Sequence, residues 1–324
     1  MSSSRLQETV RDLVAARPPR AKSLIISVFG DSVLPHGGTI WLGSLIRLVE
    51  PLGLSERLVR TAVLRLSRDQ WLTSQSLGRR SYYSLSEAGR RRFDYAHRRI
   101  YAGPVPEWDG RWCIVLLPPG MLSADRRDAL RRELGWIGFG VAAANVLLHP
   151  SPDRPSLQQT LQEQGLGASA VVVEGGGVSA LVGTPAEGGE ALRRLVRTCW
   201  NLDQLADDYR TFLELFRPIL RALEGASTLD PVTCFLIRTL IVHEYRRVTL
   251  RDPQLPAELL MPDWAGNAAR LLCRNIYRLT EAAAERHLLA TVQTADGPLP
   301  EAAASYYQRF GGLRQQETAL AANG

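Results

Sequence analysis

No segment of the 324-residue chain approaches the roughly 18 uninterrupted apolar residues that would cross a bilayer. The opening residues, MSSSRLQETVRD, lack the apolar stretch of a secretory leader. The expectation is a soluble, cytoplasmic protein with no membrane partner. Cysteine is scarce: Cys113, Cys199, Cys234 and Cys273 lie far apart, form no C-x-x-C pair and each sits in an apolar run. Each reads as a buried, reduced thiol.

Catalytic signatures are missing as well. His243-Glu244-Tyr245-Arg246-Arg247 begins like a zinc-protease helix but has no second histidine to complete a same-face ligand pair. EGGGVSALVG, residues 174–183, is not followed by Lys-Ser or Lys-Thr, so it is a flexible turn and not a phosphate-binding loop. No G-x-S-x-G elbow occurs. The chain is expected not to be an enzyme and to hold neither metal nor cofactor.

What is present is enough for two or three domains, since 45% of residues are hydrophobic and 7% aromatic. Charge is unevenly placed. Residues 1–104 carry 17 Lys and Arg against 8 Asp and Glu, and the remainder carries 22 against 25. The whole positive excess is in the first third, as fits a module for phosphate attached to a region with another task.

Within that third, residues 54–85 are the most informative. On a helical wheel over 55–69, Leu58, Val59, Ala62, Val63 and Leu66 fall in one arc, opposite Arg57 and Arg68. Ser55 is placed as N-cap and Glu56 in the first turn, where the helix dipole favours an anion. Arg57, Arg60, Thr61, Arg65 and Arg68 occupy the outward side, with Leu64 among them. Upstream, Trp41, Leu42, Leu45, Ile46 and Val49 repeat at helical spacing until Glu50-Pro51-Leu52-Gly53 stops them. Leu24–Leu34 is a further apolar helix. Downstream, Trp71–Leu77 and Ser81–Leu85 pair as strands around Gly78-Arg79-Arg80. The order helix, turn, arginine helix, arginine-tipped hairpin predicts a winged helix-turn-helix on duplex DNA. Arg57, Arg60, Thr61 and Arg65 are nearest the bases, Arg68 is on phosphate, and Arg79, Arg80 and Tyr82 of the wing clamp the backbone or minor groove. A solvated surface is the bland alternative. Double-stranded RNA is poorly matched, because its deep, narrow groove hides base edges.

Glu87–Tyr101 reads as a helix leading away from the hairpin, and 103–110 as a linker. Then follow a strand at Arg111–Leu117, a helix at Ser123–Leu134, two strand-like runs within Trp136–His149, a helix at Gln158–Gln164 and a strand at Ala168–Glu174. This β-α-β-β-α-β order predicts a ferredoxin-like sandwich. Helices are expected at Glu187–Cys199, Leu202–Leu223, Pro231–Val248 and Asp263–Leu289, with a loose tail after Ala302. The fold class is therefore α+β and multidomain: a winged helix-turn-helix domain with its linker helix over 1–104, a ferredoxin-like middle and dimerisation domain over 105–185, and a mostly α-helical regulatory domain over 186–324.

The run SLIISVFGDSVLPHGGTIWLGSLIRLVEPLGLSERLVRTAVLRLSRDQWL, residues 23–72, with GRRSYYSLSEAG at 78–89, resembles the PaaX family of bacterial transcriptional repressors. PEWDGRW at 106–112, LRRELGWIGFG at 130–140 and HEYRRVTLRDPQLPAELLMPDWAG at 243–266 agree, so the resemblance covers nearly the whole chain. It implies a homodimer on operator DNA, a middle domain similar to the ferredoxin-like CRISPR-associated nuclease fold, and repression of an aromatic-acid, phenylacetate-type catabolic operon. It also implies release by phenylacetyl-CoA or a related acyl-CoA thioester.

Such an effector needs cations for its phosphates and an apolar slot for its acyl group. His243, Tyr245, Arg246, Arg247, Arg251 and Trp264 are the candidates. In the competing reading Arg246 and Arg247 pair with Asp252, Asp263 or Glu244 and tie the C-terminal helices to the middle domain. The nuclease-like fold leaves one enzymatic alternative, a metal-dependent nuclease with Asp109 or Asp125 on the cation. Clustered carboxylates, which that chemistry needs, are not evident.

Overall fold

The structure is a computed structural model describing residues 3–101, 107–118, 120, 122–167, 169–176 and 185–313. It is a mixed α+β fold, mostly helical, with three small sheets. The chain divides into two compact units, one of Met1–Pro104, Thr211–Arg247 and Asn267–Gly324, the other of Val105–Arg210 and Val248–Gly266.

In the first unit, helices α1 (Ser3–Ala16) and α2 (Ala21–Val28) precede a π turn at Phe29–Val33 and a 3-10 turn at Leu34–His36. The single helix expected over Leu24–Leu34 is thus three elements. Gly30 lies within the π turn, where a Cβ would lie 2.5 Å from the Phe93 ring, so the backbone approaches that ring closely. A short strand β1 (Thr39–Trp41) leads into α3 (Leu42–Val49), a 3-10 turn at Glu50–Leu52 and α4 (Glu56–Arg68). Strands β2 (Leu72–Leu77) and β3 (Arg80–Leu85) form a hairpin, and β3 also pairs with β1 through Ile40 and Tyr83. Trp41, read as helical, is therefore the last residue of a strand, and Arg80 belongs to β3 and not to the turn. Helix α5 (Glu87–Tyr101) follows. The core joins Ile25, Val28 and Phe29 to Leu45, Val49, Val59, Val63 and Leu66, all at most 1% exposed.

The same unit takes in most of the C-terminal chain. Helices α10 (Pro231–Thr249) and α11 (Ala265–Thr291) contribute Phe235, Ile237, Ile241, Ile276 and Tyr277 to its interior. A two-residue hairpin of β8 (Gln293–Thr294) and β9 (Gly297–Pro298) and a 3-10 segment at Ala304–Gly311 complete it.

The second unit is built on β4 (Arg111–Leu116), α6 (Ala124–Trp136), β5 (Gly140–Ala143), β6 (Val146–His149), α7 (Arg154–Glu163) and β7 (Val171–Gly176). The sheet order β5-β6-β4-β7, antiparallel throughout, is consistent with a ferredoxin-like arrangement. Its core packs Val115 and Leu147 from the sheet against Leu130, Leu134, Leu157 and Leu161 from the two helices. Helices α8 (Pro185–Cys199) and the start of α9 (Leu202–Glu224) belong here, as does the 3-10 turn at Ala257–Leu259. Cys113, Cys234 and Cys273 are buried free thiols, whereas Cys199 is half-buried.

Candidate nucleic-acid interface

Between α3 and α4 the chain turns sharply because Glu50–Leu52, with Pro51 at its centre, forms a 3-10 turn and Gly53, at φ +81°, adopts the left-handed conformation that ends it. Ser55 then opens α4, its Oγ accepting from the Leu58 N–H at 3.4 Å, and Glu56 sits in the first turn. Burial of Val59, Ala62, Val63 and Leu66 fixes the rotation of the helix and leaves Arg57, Arg60, Thr61, Leu64, Arg65 and Arg68 exposed. Leu58 corrects the wheel: it lies about 90° from the centre of the apolar arc and is 48% exposed, outside the reach of the packed elements.

The cations on this face differ in readiness. Arg60 is held by Glu56, with Nε and Nη2 at 2.7 and 2.6 Å from Oε1. An exposed pair of this spacing is worth about 0.3–0.5 kcal/mol, so a base edge or phosphate readily takes the guanidinium over. Thr61 Oγ1 donates to the Arg57 carbonyl at 2.9 Å, which leaves its oxygen free to accept. Arg57, Arg65 and Arg68 make no ion pair among the described residues. Beside the helix end, Lys22 pairs with Asp69.

The hairpin turns at Gly78-Arg79, with Gly78 at φ +59° between the paired residues Leu77 and Arg80. Arg79 stands exposed at the tip. Arg80 is anchored: its guanidinium lies 4.5 Å from the Trp41 ring centroid and donates to Gln293 Oε1 at 3.3 Å. Tyr82 is a correction. It stands in the central strand, paired with Trp41 and Gln75, and is only 6% exposed, so its ring packs inward instead of extending from the wing.

The residues proposed for the effector are divided between the two units. His243, Tyr245, Arg246 and Arg247 lie in the first unit, Arg251 and Trp264 in the second. His243 is buried with Nδ1 2.9 Å from Ser27 Oγ, and burial, reinforced by Arg246 and Arg247, pushes its pKa down to about 3. Tyr245 is buried with its ring against Phe212. Arg246 Nη2 donates to Ser23 Oγ at 3.0 Å, and burial lowers its pKa to about 10. Arg247 pairs with Glu244 at 3.1 Å, one of the carboxylates named in the competing reading, and Arg251 with Asp208 at 2.9 Å. Trp264 packs edge-on against Tyr209.

Asp109 Oδ1 accepts from the Arg111 N–H at 2.9 Å at the start of β4, and Asp125 lies in the first turn of α6. No group of three or more His, Cys, Asp or Glu that could hold a metal ion occurs among the described residues. No helix among them is long and apolar enough to cross a membrane. What sequence reading missed is an arginine cluster on α8, Arg193, Arg194 and Arg197, whose signal is the short run RRLVR beside Glu190.

Comparison with known proteins agrees along the chain. Residues 20–89 match the model of PaaX-like protein, residues 105–185 the PaaX protein central Cas2-like domain, and residues 200–290 the PaaX-like protein C-terminal domain. The transcriptional repressor PaaX of Escherichia coli (strain K12) is 41% identical over 318 residues, 98% of each chain. The solved structure of the uncharacterized protein Rv0674 from Mycobacterium tuberculosis is 25% identical, with a TM-score of 0.47 over 77% of this chain and 90% of its own. An identity of 41% sustained over nearly all of both sequences, with three family models in register along them, places the chain in the PaaX family.

Proposed function

We propose that the chain is a sequence-specific, DNA-binding transcriptional repressor of an aromatic-acid catabolic operon, with residues 1–104 as its winged helix-turn-helix reading head. The observation that carries this is the end-to-end identity with a transcriptional repressor in a chain whose α4 turns an arginine face to solvent. In this reading α4 enters the major groove. Arg57, Arg60, Thr61 and Arg65 face base edges, where an arginine fork matches guanine O6 and N7, and Arg68 meets phosphate. Ser55 caps the helix and sets its angle. The wing clamp consists of Arg79 at the tip with Arg80 behind it. Catalysis has no part in this reading.

The proposal extends to assembly and control. Residues 105–185 would pair two copies, so that two reading heads meet inverted half-sites about 10 base pairs apart or a multiple of that. Residues 186–324 would answer to an aryl-acyl-CoA thioester, phenylacetyl-CoA or a relative, by binding it unequally in two dimer geometries. The test is recovery and sequencing of genomic DNA retained by the purified protein, followed by gel shifts with the enriched duplex. Recovery of inverted repeats upstream of catabolic genes, released by the thioester, is the expected result. Retention of duplex RNA as strongly as duplex DNA would overturn it.

A further inference from the structure

The second unit contains an open cavity of about 320 Å³ whose two walls differ in kind. One wall is α8, which presents Arg193 and Arg197 one turn apart with Arg194 beside them. The other is the 3-10 turn at Ala257–Leu259 with the segment that follows it, which together present Leu259, Met261 and Trp264. Leu259 and Trp264 are largely buried where they line the cavity, and Trp264 is held by its edge-on contact with Tyr209 and by its backbone N–H, which donates to the Met261 carbonyl at 3.0 Å. The apolar wall is therefore rigid.

The cationic wall is only partly neutralised, by Glu190 and Asp203, which also line the cavity. Arg193 pairs with Glu190 at 3.2 Å and Arg197 with Asp203 at 3.0 Å, while Arg194 has no ion pair among the described residues. Both pairs are more than half exposed, so each is easily exchanged for a stronger anion. A carboxylate can use Arg194 alone. A phosphate group, with more charge and three acceptor oxygens, can recruit the neighbouring forks as well. Three arginines facing a fixed apolar wall across a cavity of this size suit one class of ligand.

We propose that this cavity binds an amphipathic organic phosphate, its phosphate on Arg194 flanked by Arg193 and Arg197 and its apolar part on Met261 and Trp264. Resting on the repressor reading above, it is the seat of the acyl-CoA effector. Of the effector residues read from sequence it retains Trp264 and replaces the buried His243 and Arg246.

The full-length protein is titrated by calorimetry with phenylacetyl-CoA, coenzyme A, ATP and phenylacetate, alongside Arg194→Glu and Met261→Glu, one change on each wall. The wild type should bind phenylacetyl-CoA most tightly and phenylacetate not at all, and each variant should weaken the thioester by about tenfold or more. Modification of Arg194 by phenylglyoxal, mapped by mass spectrometry in the wild type, should be blocked by bound thioester and needs no variant to fold. Thioester binding that neither variant weakens, with Arg194 still modified, overturns the cavity and leaves the effector reading standing. ATP binding lost in Arg194→Glu, with no binding of either CoA compound, upholds the cavity and overturns the effector's identity. Binding of none of the phosphates overturns the cavity.

Discussion

Arg238 Nε lies 3.2 Å from Asp31 Oδ2, and neither side chain is more than 2% exposed. Arg309 Nη1 reaches the other oxygen of Asp31 at 3.0 Å, and the hydroxyls of Tyr101 and Tyr277 donate to it at 2.6 and 3.0 Å. Arg238 also meets Glu285 at 2.5 Å. Two buried guanidinium groups thus face two carboxylates inside a cage of tyrosine rings, with Arg309 4.1 Å from the Tyr101 centroid and 4.7 Å from that of Tyr306. The cluster fastens the π turn at Phe29–Val33 to α10, α11 and the C-terminal 3-10 segment.

Asp31→Asn should therefore be costly. It keeps the shape but leaves two buried cations facing one carboxylate, and breaking a buried pair in this way costs about 3–5 kcal/mol. Urea unfolding followed by circular dichroism should show the midpoint falling with little change in slope. Asp31→Leu combined with Arg238→Met should cost less than the two single changes added together, because it removes both partners of a coupled pair.

Acid should weaken the first unit in two steps. His243 is held neutral in the fold, with its pKa depressed to about 3 chiefly by burial, so between its ordinary value of 6.5 and about 3 only the unfolded chain takes up the proton. Stability should fall over that window by up to about 1.4 kcal/mol per pH unit. Burial alone would raise the pKa of Glu285, yet Arg238 and the hydrogen bond with His36 outweigh it and bring it down to about 2. Its contribution is present above its ordinary value of 4.5 and is lost as pH falls from there toward 2. Denaturant titrations from pH 7 to pH 4 should show a shallower decline in His243→Gln than in the wild type.

Gly78→Ala tests the hairpin. The residue has φ +59°, and an added Cβ would meet nothing within 4 Å, so the penalty is one of backbone conformation alone. A loss of about 1 kcal/mol is expected. A thermal melt that does not move would show that the loop relaxes to another turn at no cost.

How much of this was legible in the sequence depended on whether the deciding contacts were local. Ser55, Glu56 and the Pro51-Gly53 stop act within a turn or two of themselves, and the sequence named α4 and its arginine face from them. The hairpin was legible for the same reason, through Gly78. By contrast β1 is three residues long and exists because it pairs with β3, over 40 residues away, which no periodicity shows. Tyr82 looked like a surface residue of a wing until that third strand covered it. Leu58 was misplaced because a wheel ranks angles without saying how far the neighbouring elements reach. His243 and Arg246 were proposed for the effector because a CoA thioester needs cations beside an apolar slot, and the sequence places them next to Tyr245. The physical reason for their presence is a set of buried partners, Ser27 and Ser23, far away in sequence.

The division of labour proposed for α4 and the hairpin gives the remaining prediction. A cation that grips a base discriminates between sequences by about 1–3 kcal/mol, whereas one on phosphate adds the same attraction to every duplex. Arg57→Ala and Arg60→Ala should each weaken operator binding more than non-operator binding, and Arg79→Ala should weaken both alike while lowering the salt dependence by about one counterion. Arg60 carries a further condition, since Glu56 competes for it in the free protein. Glu56→Ala frees that guanidinium and should strengthen binding to any duplex at low salt, provided the weaker helix start does not offset it. Gel-shift titrations on operator and scrambled duplexes at two salt concentrations separate these outcomes. Full-strength operator binding by both Arg60→Ala and Arg79→Ala would mean that α4 does not read the groove.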